Sequence, residues 1–284
     1  MAHETADLRQ RTPQPETFVE ARGVTKDFHQ FGRRSIVRAL DDVNLTVFSG
    51  KTTGLVGESG SGKSTLGDIL AGLQVPTAGD VLYRNTSYAR LSADEKRRLR
   101  RDVQVIFQDP VAALNPRMTV FEVVAEPFVI QRSVEYRDRK RLSVRIEELL
   151  ADVGLSADII GRRPQQLSGG QCQRLGIARA LAMRPKLIIC DESLSALDMP
   201  VQVAVAQLLK DMQTKYGVAY LFITHDLRMA EFMSDVIYVM HKGRVVDQGS
   251  PTYILRESVD PYVQELRNAI LSIDERRFVR ARHG

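Results

Sequence analysis

The sequence predicts an α/β fold with a mixed sheet at its core, an antiparallel β layer near the N-terminus and a helical subdomain in the middle of the chain. Short runs of alternating apolar and polar residues occupy much of 18–50, which is typical of antiparallel strands. Continuous apolar runs at 187–190 and 218–223 indicate parallel strands that are covered on both faces. Apolar residues between 137 and 153 repeat with the period of a helix.

The composition is that of a folded globular protein. The chain has 284 residues, of which 43% are hydrophobic and 26% are charged, which permits a sizeable core and excludes a fibre or a disulfide-rich miniprotein. A net charge of +5 suits anionic partners of any kind. The two cysteines, Cys172 and Cys190, cannot form a four-thiolate metal site, so we expect ordinary thiols.

Residues 1–17 predict a disordered leader. They contain early acidic residues and two prolines but no apolar segment of the kind found in a secretory signal. Elsewhere no uncharged apolar run approaches the length of about 18 residues that crosses a bilayer. We therefore expect a cytoplasmic protein that does not span a membrane by itself.

The segment after the antiparallel layer predicts a strand followed by a helix. An apolar run at 52–57 ends in a glycine-rich loop. Leu66, Ile69, Leu70 and Leu73 then repeat on one helical face.

The middle of the chain predicts a strand, a loop and then helices. The apolar run at 103–107 indicates a buried strand, and prolines in 108–119 indicate a loop. A helical pattern starts near Arg137, and Gly154 is placed to end it. We therefore assign residues from about 110 to 170 to the helical subdomain.

The last third predicts a crossover helix between the two apolar strands. This helix ends near Gly217, and a hairpin around Lys242 and Gly243 precedes a helical, basic tail. The apolar face of the crossover helix consists of Val201, Val205, Leu208, Leu209 and Met212.

The strongest functional signal is a glycine-rich segment between the strand at 52–57 and the helix that follows. In such a loop the backbone N–H groups converge on phosphate oxygens, and the helix N-terminus adds its positive dipole end. We expect Lys63 to reach the β- and γ-phosphates, Ser64 to offer its hydroxyl to Mg²⁺ and Thr65 to support the α-phosphate end. The residues that satisfy the phosphate-loop pattern are Gly57, Glu58, Ser59, Gly60, Ser61, Gly62, Lys63, Ser64 and Thr65.

Two carboxylates follow the apolar strand at 187–190. Parallel sheets place their ligands at the carboxyl ends of their strands, where Asp191 and Glu192 stand. Asp191 can hold Mg²⁺, and Glu192 can polarise the attacking water as a general base. His225 directly follows the strand that ends at 224, so we expect it beside the same phosphates.

A second glycine-rich segment consists of Ser168, Gly169, Gly170 and Gln171. A helix-compatible run follows it, so a capped helix N-terminus could point at an anion. One chain does not need two phosphate cradles for one nucleotide. We therefore expect this loop to serve the nucleotide of a partner.

Together these motifs resemble the ATP-binding cassette (ABC) ATPases over about residues 18–265. The resemblance implies a P-loop NTPase fold with an ATPase domain at 18–250, ATP as substrate and Mg²⁺ as metal ion. The motifs stand in family order: GESGSGKST at 57–65, Gln108 after a strand, LSGGQ at 167–171, LIICDE at 187–192, SALD at 195–198 and His225.

The resemblance also implies a head-to-tail dimer. Ser168 and Gly170 of one subunit would close on the γ-phosphate held by Lys63 of the other, and Asp198 would link the two sites. Gln108 would contact Mg²⁺ and the water while reporting to a membrane partner.

Two further roles are implied at the nucleotide. His225 would hold the γ-phosphate. Phe28 matches the position whose ring stacks on adenine, with Phe31 as the alternative.

A narrower resemblance is to the ATPase subunits of bacterial dipeptide, oligopeptide and nickel importers. It is carried by FQDPVAALNPRMTVFEVVAEP at 107–127, by GRVVDQGSPTYIL, and by DPYVQEL at 260–266. That group carries a Pro-Tyr motif in a C-terminal extension, which we assign to 251–284. The resemblance implies uptake of peptides or a related small solute, such as nickel or an opine-like compound.

This group also implies partners and a location. Its members work beneath two integral membrane permease subunits, fed by an external solute-binding protein, at the cytoplasmic face of the bacterial inner membrane. A second ABC ATPase subunit, related or identical, would complete the dimer.

The sequence departs from the group at three places. Cys172 replaces a basic residue, Ser193 replaces a proline, and VAAL at 111–114 replaces an aromatic-containing stretch that faces the permease. The first two remove no ligand, so we expect activity to survive. The third leaves the identity of the permease open.

Two alternatives remain open: an ATPase of a soluble complex, such as a phosphonate-cleaving system, and an ABC ATPase that acts on nucleic acid. Basic segments at 96–101 and 276–282 could attract nucleic acid or anionic lipid. The chain has no tryptophan and little aromatic interleaving for base stacking. We therefore expect no nucleic-acid partner.

Overall fold

The protein is described by a computed structural model, which covers residues 16–29, 36–109, 111–133, 137–194 and 197–269. Most of the predicted leader, Phe31 and the basic segment at 276–282 lie outside these residues.

The described residues form both strands and helices. The strands are β1 (Thr17–His29), β2 (Ile36–Phe48), β3 (Thr52–Val56), β4 (Ala78–Tyr83), β5 (Thr86–Ser87), β6 (Val103–Ile106), β7 (Leu187–Asp191), β8 (Ala219–Thr224), β9 (Val236–His241) and β10 (Arg244–Gly249). The helices are α1 (Lys63–Leu70), α2 (Ala93–Asp102), α3 (Val120–Ile130), α4 (Arg139–Asp152), α5 (Gly169–Leu181), α6 (Met199–Tyr216), α7 (Leu227–Met233) and α8 (261–269).

The N-terminal sheet is antiparallel and has the strand order β2-β1-β4-β5. This confirms the predicted antiparallel layer. Sequence analysis did not assign β4 and β5. β1 begins at Thr17, the last residue of the predicted leader.

The core sheet has the order β10-β9-β3-β8-β7-β6 and is mixed, as predicted. The strands from β9 to β6 pair in parallel, while β10 pairs with β9 in the predicted antiparallel hairpin. Val56 is in register with Thr224, and Asp191 is in register with Ile223. The segments that follow β3, β7 and β8 therefore leave the sheet at one edge.

Glycine ends two of the predicted helices. Gly154 (φ +69°) follows α4 and Gly217 (φ +65°) caps α6, both in the left-handed conformation that favours glycine. The prediction that Leu73 belongs to the helical face of Leu66, Ile69 and Leu70 is wrong, because α1 ends at Leu70. Gly72 (φ +72°) turns the chain after α1, and Leu73 is exposed beyond that turn.

α3 and α4 lie within the predicted helical subdomain, and α5 begins at its end. Capping boxes start α3 at Thr119 and α5 at Ser168. Ile146, Leu149 and Leu150 of α4 are fully buried against the neighbouring helices. α5 then leads back to β7 in the core sheet.

The C-terminal segment packs on the core sheet. Ile254, Tyr262 and Val263 are buried with Val56 of β3 and Val239 of β9. This small apolar cluster joins the segment after β10 to the strand that precedes the glycine-rich loop.

The arginines of the basic segment at 96–101 are exposed on α2, while Leu99 is buried.

Cys172 and Cys190 are both buried and unbridged, and burial raises the pKa of the Cys190 thiol to about 12. Among the described residues, no helix has the length and apolar character needed to cross a membrane.

Candidate functional site

The glycine-rich loop needs glycine at both ends. A Cβ on Gly57 would lie 2.2 Å from the carbonyl oxygen of Met240, and one on Gly62 would lie 2.5 Å from that of Ala39. Gly62 (φ +104°) caps α1, so the loop runs directly into a helix N-terminus. Gly60 (φ +81°) has open space on its Cβ side. The loop is therefore packed at its ends and open at its centre, where an anion can approach the backbone.

The remaining loop residues divide by burial. Glu58, Ser59 and Gly60 are exposed. The hydroxyl of Ser61 is buried and has no hydrogen-bond partner within the described part of the chain. Thr65 is half-buried in the first turn of α1.

Lys63 is folded back into the loop. Its side chain is 3% exposed, and its Nζ donates hydrogen bonds of 2.8 Å to the carbonyl oxygens of Gly57 and Glu58. Burial lowers the pKa of Lys63, and the neighbouring carboxylate of Glu192 opposes that shift. The ammonium group thus stands at the loop beside an acidic partner.

Ser64 and Asp191 form the candidate metal site. Ser64 Oγ donates a 2.9 Å hydrogen bond to Asp191 Oδ1. Burial raises the pKa of Asp191, while the Ser64 hydroxyl lowers it. A hydroxyl and a carboxylate at this distance supply the oxygen ligands that Mg²⁺ prefers, so the residues fit the ion.

Three of the predicted side chains meet at Glu192. Its Oε1 lies 3.6 Å from Nζ of Lys63, and its Oε2 lies 3.6 Å from Nδ1 of His225. Gln108 Nε2 donates to the same Oε2 at 3.5 Å. The sheet edge therefore brings these residues together although they are far apart in sequence.

The backbone of Glu192 is itself unusual. Its φ of +44° is rare for a residue with a side chain and costs about 1–3 kcal/mol. The Glu192 amide donates to the carbonyl oxygen of Ile223 at 3.1 Å, which holds this conformation against β8. The chain thus turns the carboxylate towards the loop at a cost in stability.

The second glycine-rich segment does not join this cluster. Ser168 Oγ accepts a hydrogen bond from the Gln171 amide, and Gln171 Oε1 accepts one from the Ser168 amide, so both residues start α5. Gly169 and Gly170 form the first turn of that helix. Within the described chain, no hydrogen bond or ion pair links these residues to 57–65.

Asp198 and Phe28 also lie apart from the cluster. Asp198 is exposed and caps α6 by accepting a hydrogen bond from the Val201 amide at 3.0 Å. Phe28 lies on β1 with 40% of its surface exposed, and Nζ of Lys26 is 5.2 Å from its ring centroid. An exposed ring on this strand remains available for stacking, and the choice between Phe28 and Phe31 stays open.

Sequence analysis missed one contact of the loop. The Glu58 amide donates a 3.0 Å hydrogen bond to the hydroxyl of Tyr262, which belongs to the C-terminal extension. The Pro-Tyr motif singles out Tyr262, but nothing in the sequence relates it to a loop 204 residues earlier.

This architecture is that of a nucleotide-hydrolysing P-loop protein. A glycine-rich loop opens α1 at the carboxyl edge of parallel strands, and acidic side chains from the neighbouring strand end face it. Comparison with known proteins gives the family.

Residues 40–195 match the model of the ABC transporter family. The chain is 45% identical over 238 residues to the oligopeptide transport ATP-binding protein OppF of Lactococcus lactis subsp. lactis, covering 84% of this chain and 74% of the relative. It is 46% identical over 239 residues to the putative oligopeptide transport ATP-binding protein YkfD of Bacillus subtilis, covering 84% and 72%. This chain belongs to the ABC transporter family.

A solved structure agrees with the fold. The ATP-binding cassette MJ0796, in a dimeric post-hydrolysis state with ADP and Pi, is 34% identical and superposes with a TM-score of 0.73, covering 82% of this chain and 98% of that one. The chain is therefore an ABC ATPase that hydrolyses ATP with Mg²⁺. Ser64 and Asp191 would hold the ion, which would supply positive charge beside the phosphate oxygens.

Proposed function

We propose that this chain is the ATP-hydrolysing subunit of a bacterial ABC importer for peptides or a related small solute. The proposed roles of individual residues in ATP hydrolysis rest on one observation. Lys63, Gln108 and His225 all lie close to the carboxylate of Glu192. The names of the relatives at 45% and 46% identity support peptides as cargo.

In this proposal Glu192 is the general base. It takes a proton from water, whose oxygen forms a bond to the γ-phosphorus as the bond to the leaving ADP oxygen breaks. Gln108 orients the water, and His225 and Lys63 hold the phosphate oxygens. The half-exposed His225 reaches the site from the end of β8.

The assembly we propose is a head-to-tail dimer, because Ser168 and Gly170 do not reach the loop of their own chain. They would close on the γ-phosphate bound by the second subunit, and Asp198 would link the two sites. The dimeric state of the cassette MJ0796 supports this arrangement. The second subunit is a related ABC ATPase or another copy of this chain.

A groove beside Gln108 supports a permease partner. It has a volume of about 310 Å³ and lies between the core sheet and the helical subdomain. Phe107, Ile130 and Leu73 line it and are 45%, 69% and 59% exposed. Exposed apolar side chains that are gathered in one groove are typical of a protein interaction surface. Gln108 follows Phe107 directly and would report the state of the site to the groove.

The proposed complex lies at the cytoplasmic face of the inner membrane. Two integral membrane permease subunits would occupy the two grooves of the dimer, and an external solute-binding protein would deliver the cargo. We divide the chain into a leader at 1–17, an ATPase domain at 18–250 that holds the helical subdomain at about 110–170, and an extension at 251–284.

The experiment is an affinity purification of the tagged Glu192→Gln protein from gently solubilised membranes in the presence of ATP, with mass spectrometry of the bound chains. Two polytopic membrane proteins and a cassette subunit are the expected partners. Recovery of soluble enzymes alone would favour the ATPase of a soluble enzyme complex. Salt-sensitive recovery of nucleic acid would favour an ABC ATPase that acts on nucleic acid. Either result would contradict the transport proposal.

A further inference from the structure

We infer that Tyr262 is a positioning residue of the phosphate loop, so that the C-terminal extension contributes to ATP binding through this side chain. This inference rests on the assignment of residues 57–65 as the phosphate loop. The proposed roles of the loop itself involve 57–65 only, and the described part of the extension contacts the loop through the hydroxyl of Tyr262.

The contact is between a buried side chain and the loop backbone. Tyr262 is 8% exposed, and its hydroxyl oxygen accepts a 3.0 Å hydrogen bond from the Glu58 amide. Its ring packs on the ring of His241, with centroids 3.9 Å apart. His241 follows Met240, whose carbonyl oxygen lies against Gly57. The tyrosine is therefore held against both the loop and the strand end that supports it.

The position of Tyr262 is fixed by its own segment. Asp260 Oδ1 accepts hydrogen bonds from the amides of Tyr262 and Val263 at 2.9 and 3.1 Å, which starts α8. Ser258 donates to the carboxylate of Asp247 on β10. Val263 is fully buried among residues of β3 and β9. The segment is thus attached to the core on both sides of the tyrosine.

The loop is held at a second point from the hairpin. The Gly243 amide donates a 3.0 Å hydrogen bond to the Ser61 carbonyl oxygen. Tyr262 holds the first half of the loop at Glu58, and Gly243 holds the second half at Ser61. Together they fix the spacing between the two ends of the turn that would accept a phosphate.

Lys63 holds the same part of the loop as Tyr262. Its ammonium group donates to the carbonyl oxygens of Gly57 and Glu58. Because an ammonium group has three N–H donors, it can contact a phosphate oxygen while these hydrogen bonds persist. Loss of the Tyr262 hydroxyl frees the Glu58 amide and alters the loop backbone at the proposed phosphate site, whereas a phenyl ring at the same position keeps its packing on His241.

The test measures ATP affinity and thermal stability of the purified full chain. In Tyr262→Phe, we expect the Kd and KM for ATP to rise about two- to tenfold, the factor for one lost hydrogen bond, with kcat and the Tm of the free protein nearly unchanged. Tyr238→Phe is the matched control. It removes a hydroxyl that also accepts from a backbone amide, that of Thr46 at 3.3 Å, away from the loop.

Val263→Ala separates positioning from packing, because it removes buried methyl groups from the same segment and leaves the hydroxyl. We expect it to lower Tm and leave ATP affinity unchanged. Unchanged affinity in Tyr262→Phe, or affinity that falls in step with Tm in both variants, would overturn the inference. Lys63→Ala serves as a check on the loop itself. If it also left ATP affinity unchanged, the loop assignment would fail as well, whereas a loss in Lys63→Ala alone would refute only the role of Tyr262.

Discussion

Nζ of Lys63 lies 3.6 Å from Oε1 of Glu192, so the proposed phosphate ligand and the proposed general base are direct neighbours. The same ammonium group donates to two loop carbonyls at 2.8 Å. Such a group stabilises a folded loop and also holds a positive charge where a phosphate must enter.

The carboxylate of Asp191 is expected to lower the stability of the fold while it serves the proposed Mg²⁺ site. Burial raises its pKa, so the ionised carboxyl destabilises the native state, and this destabilisation grows as the pH rises through the raised pKa. Asp191→Asn removes the charge and keeps an oxygen for the Ser64 hydroxyl. We expect the Tm of the free variant to exceed that of the native chain by a few degrees at pH 7.5, while Mg²⁺-dependent ATPase activity is lost.

The pH dependence of this difference in Tm tests whether the charge on Asp191 is its cause. The difference in Tm should narrow as the pH falls through the raised pKa of Asp191 towards the ordinary value for an aspartate, because the native carboxyl then takes up its proton. Scanning calorimetry at several pH values measures this difference. A variant less stable than the native chain at pH 7.5 would show that the Asp191 charge stabilises the fold.

Ser168 has a structural role that can be separated from its proposed role in catalysis. Aspartate caps helices about as well as serine, so Ser168→Asp should preserve the start of α5 and leave Tm within about 2 °C. The added negative charge would repel the γ-phosphate of the second subunit. We expect ATPase activity to fall by at least about tenfold, measured as phosphate release.

The matched control is Ser92→Asp, because Ser92 starts α2 with the same kind of capping box. Its activity should equal that of the native chain. Full activity in Ser168→Asp would limit Ser168 to helix capping.

A substitution in the apolar groove should prevent binding of the permease without changing ATP hydrolysis. Ile130→Glu places a charge on an exposed groove position and should abolish co-purification of membrane partners while the isolated chain keeps its ATPase activity. Val144→Glu is the control, since Val144 is 57% exposed on α4 and does not line the groove. Equal recovery of membrane partners with both variants would place the docking surface elsewhere.

Sequence patterns predicted the parts of this fold that depend on local chemistry. Parallel strands such as β7 and β8 are continuous apolar runs, and the glycine-rich loop lies between a strand and a helix in both the prediction and the structure. β4 was missed because its sequence, AGDVLY, starts with residues that favour turns, and pairing with β1 overrides them.

Contacts between distant residues could not be predicted in this way. The meeting of Gln108 and His225 at Glu192 depends on strand order, and the strained backbone of Glu192 is stabilised by β8 rather than by its own sequence. The hydrogen bond from Glu58 to Tyr262 joins two surfaces that only the folded chain brings together.

The most direct test of the account is phosphate release by the Glu192→Gln protein, measured together with its ATP affinity. We expect kcat to fall by about 100-fold or more, the contribution of a general base, while ATP still binds because Lys63 and the loop are intact. Glu231→Gln, an exposed position on α7, should behave as the native chain. Turnover of Glu192→Gln within about twofold of the native rate would contradict the central claim that Glu192 activates the water.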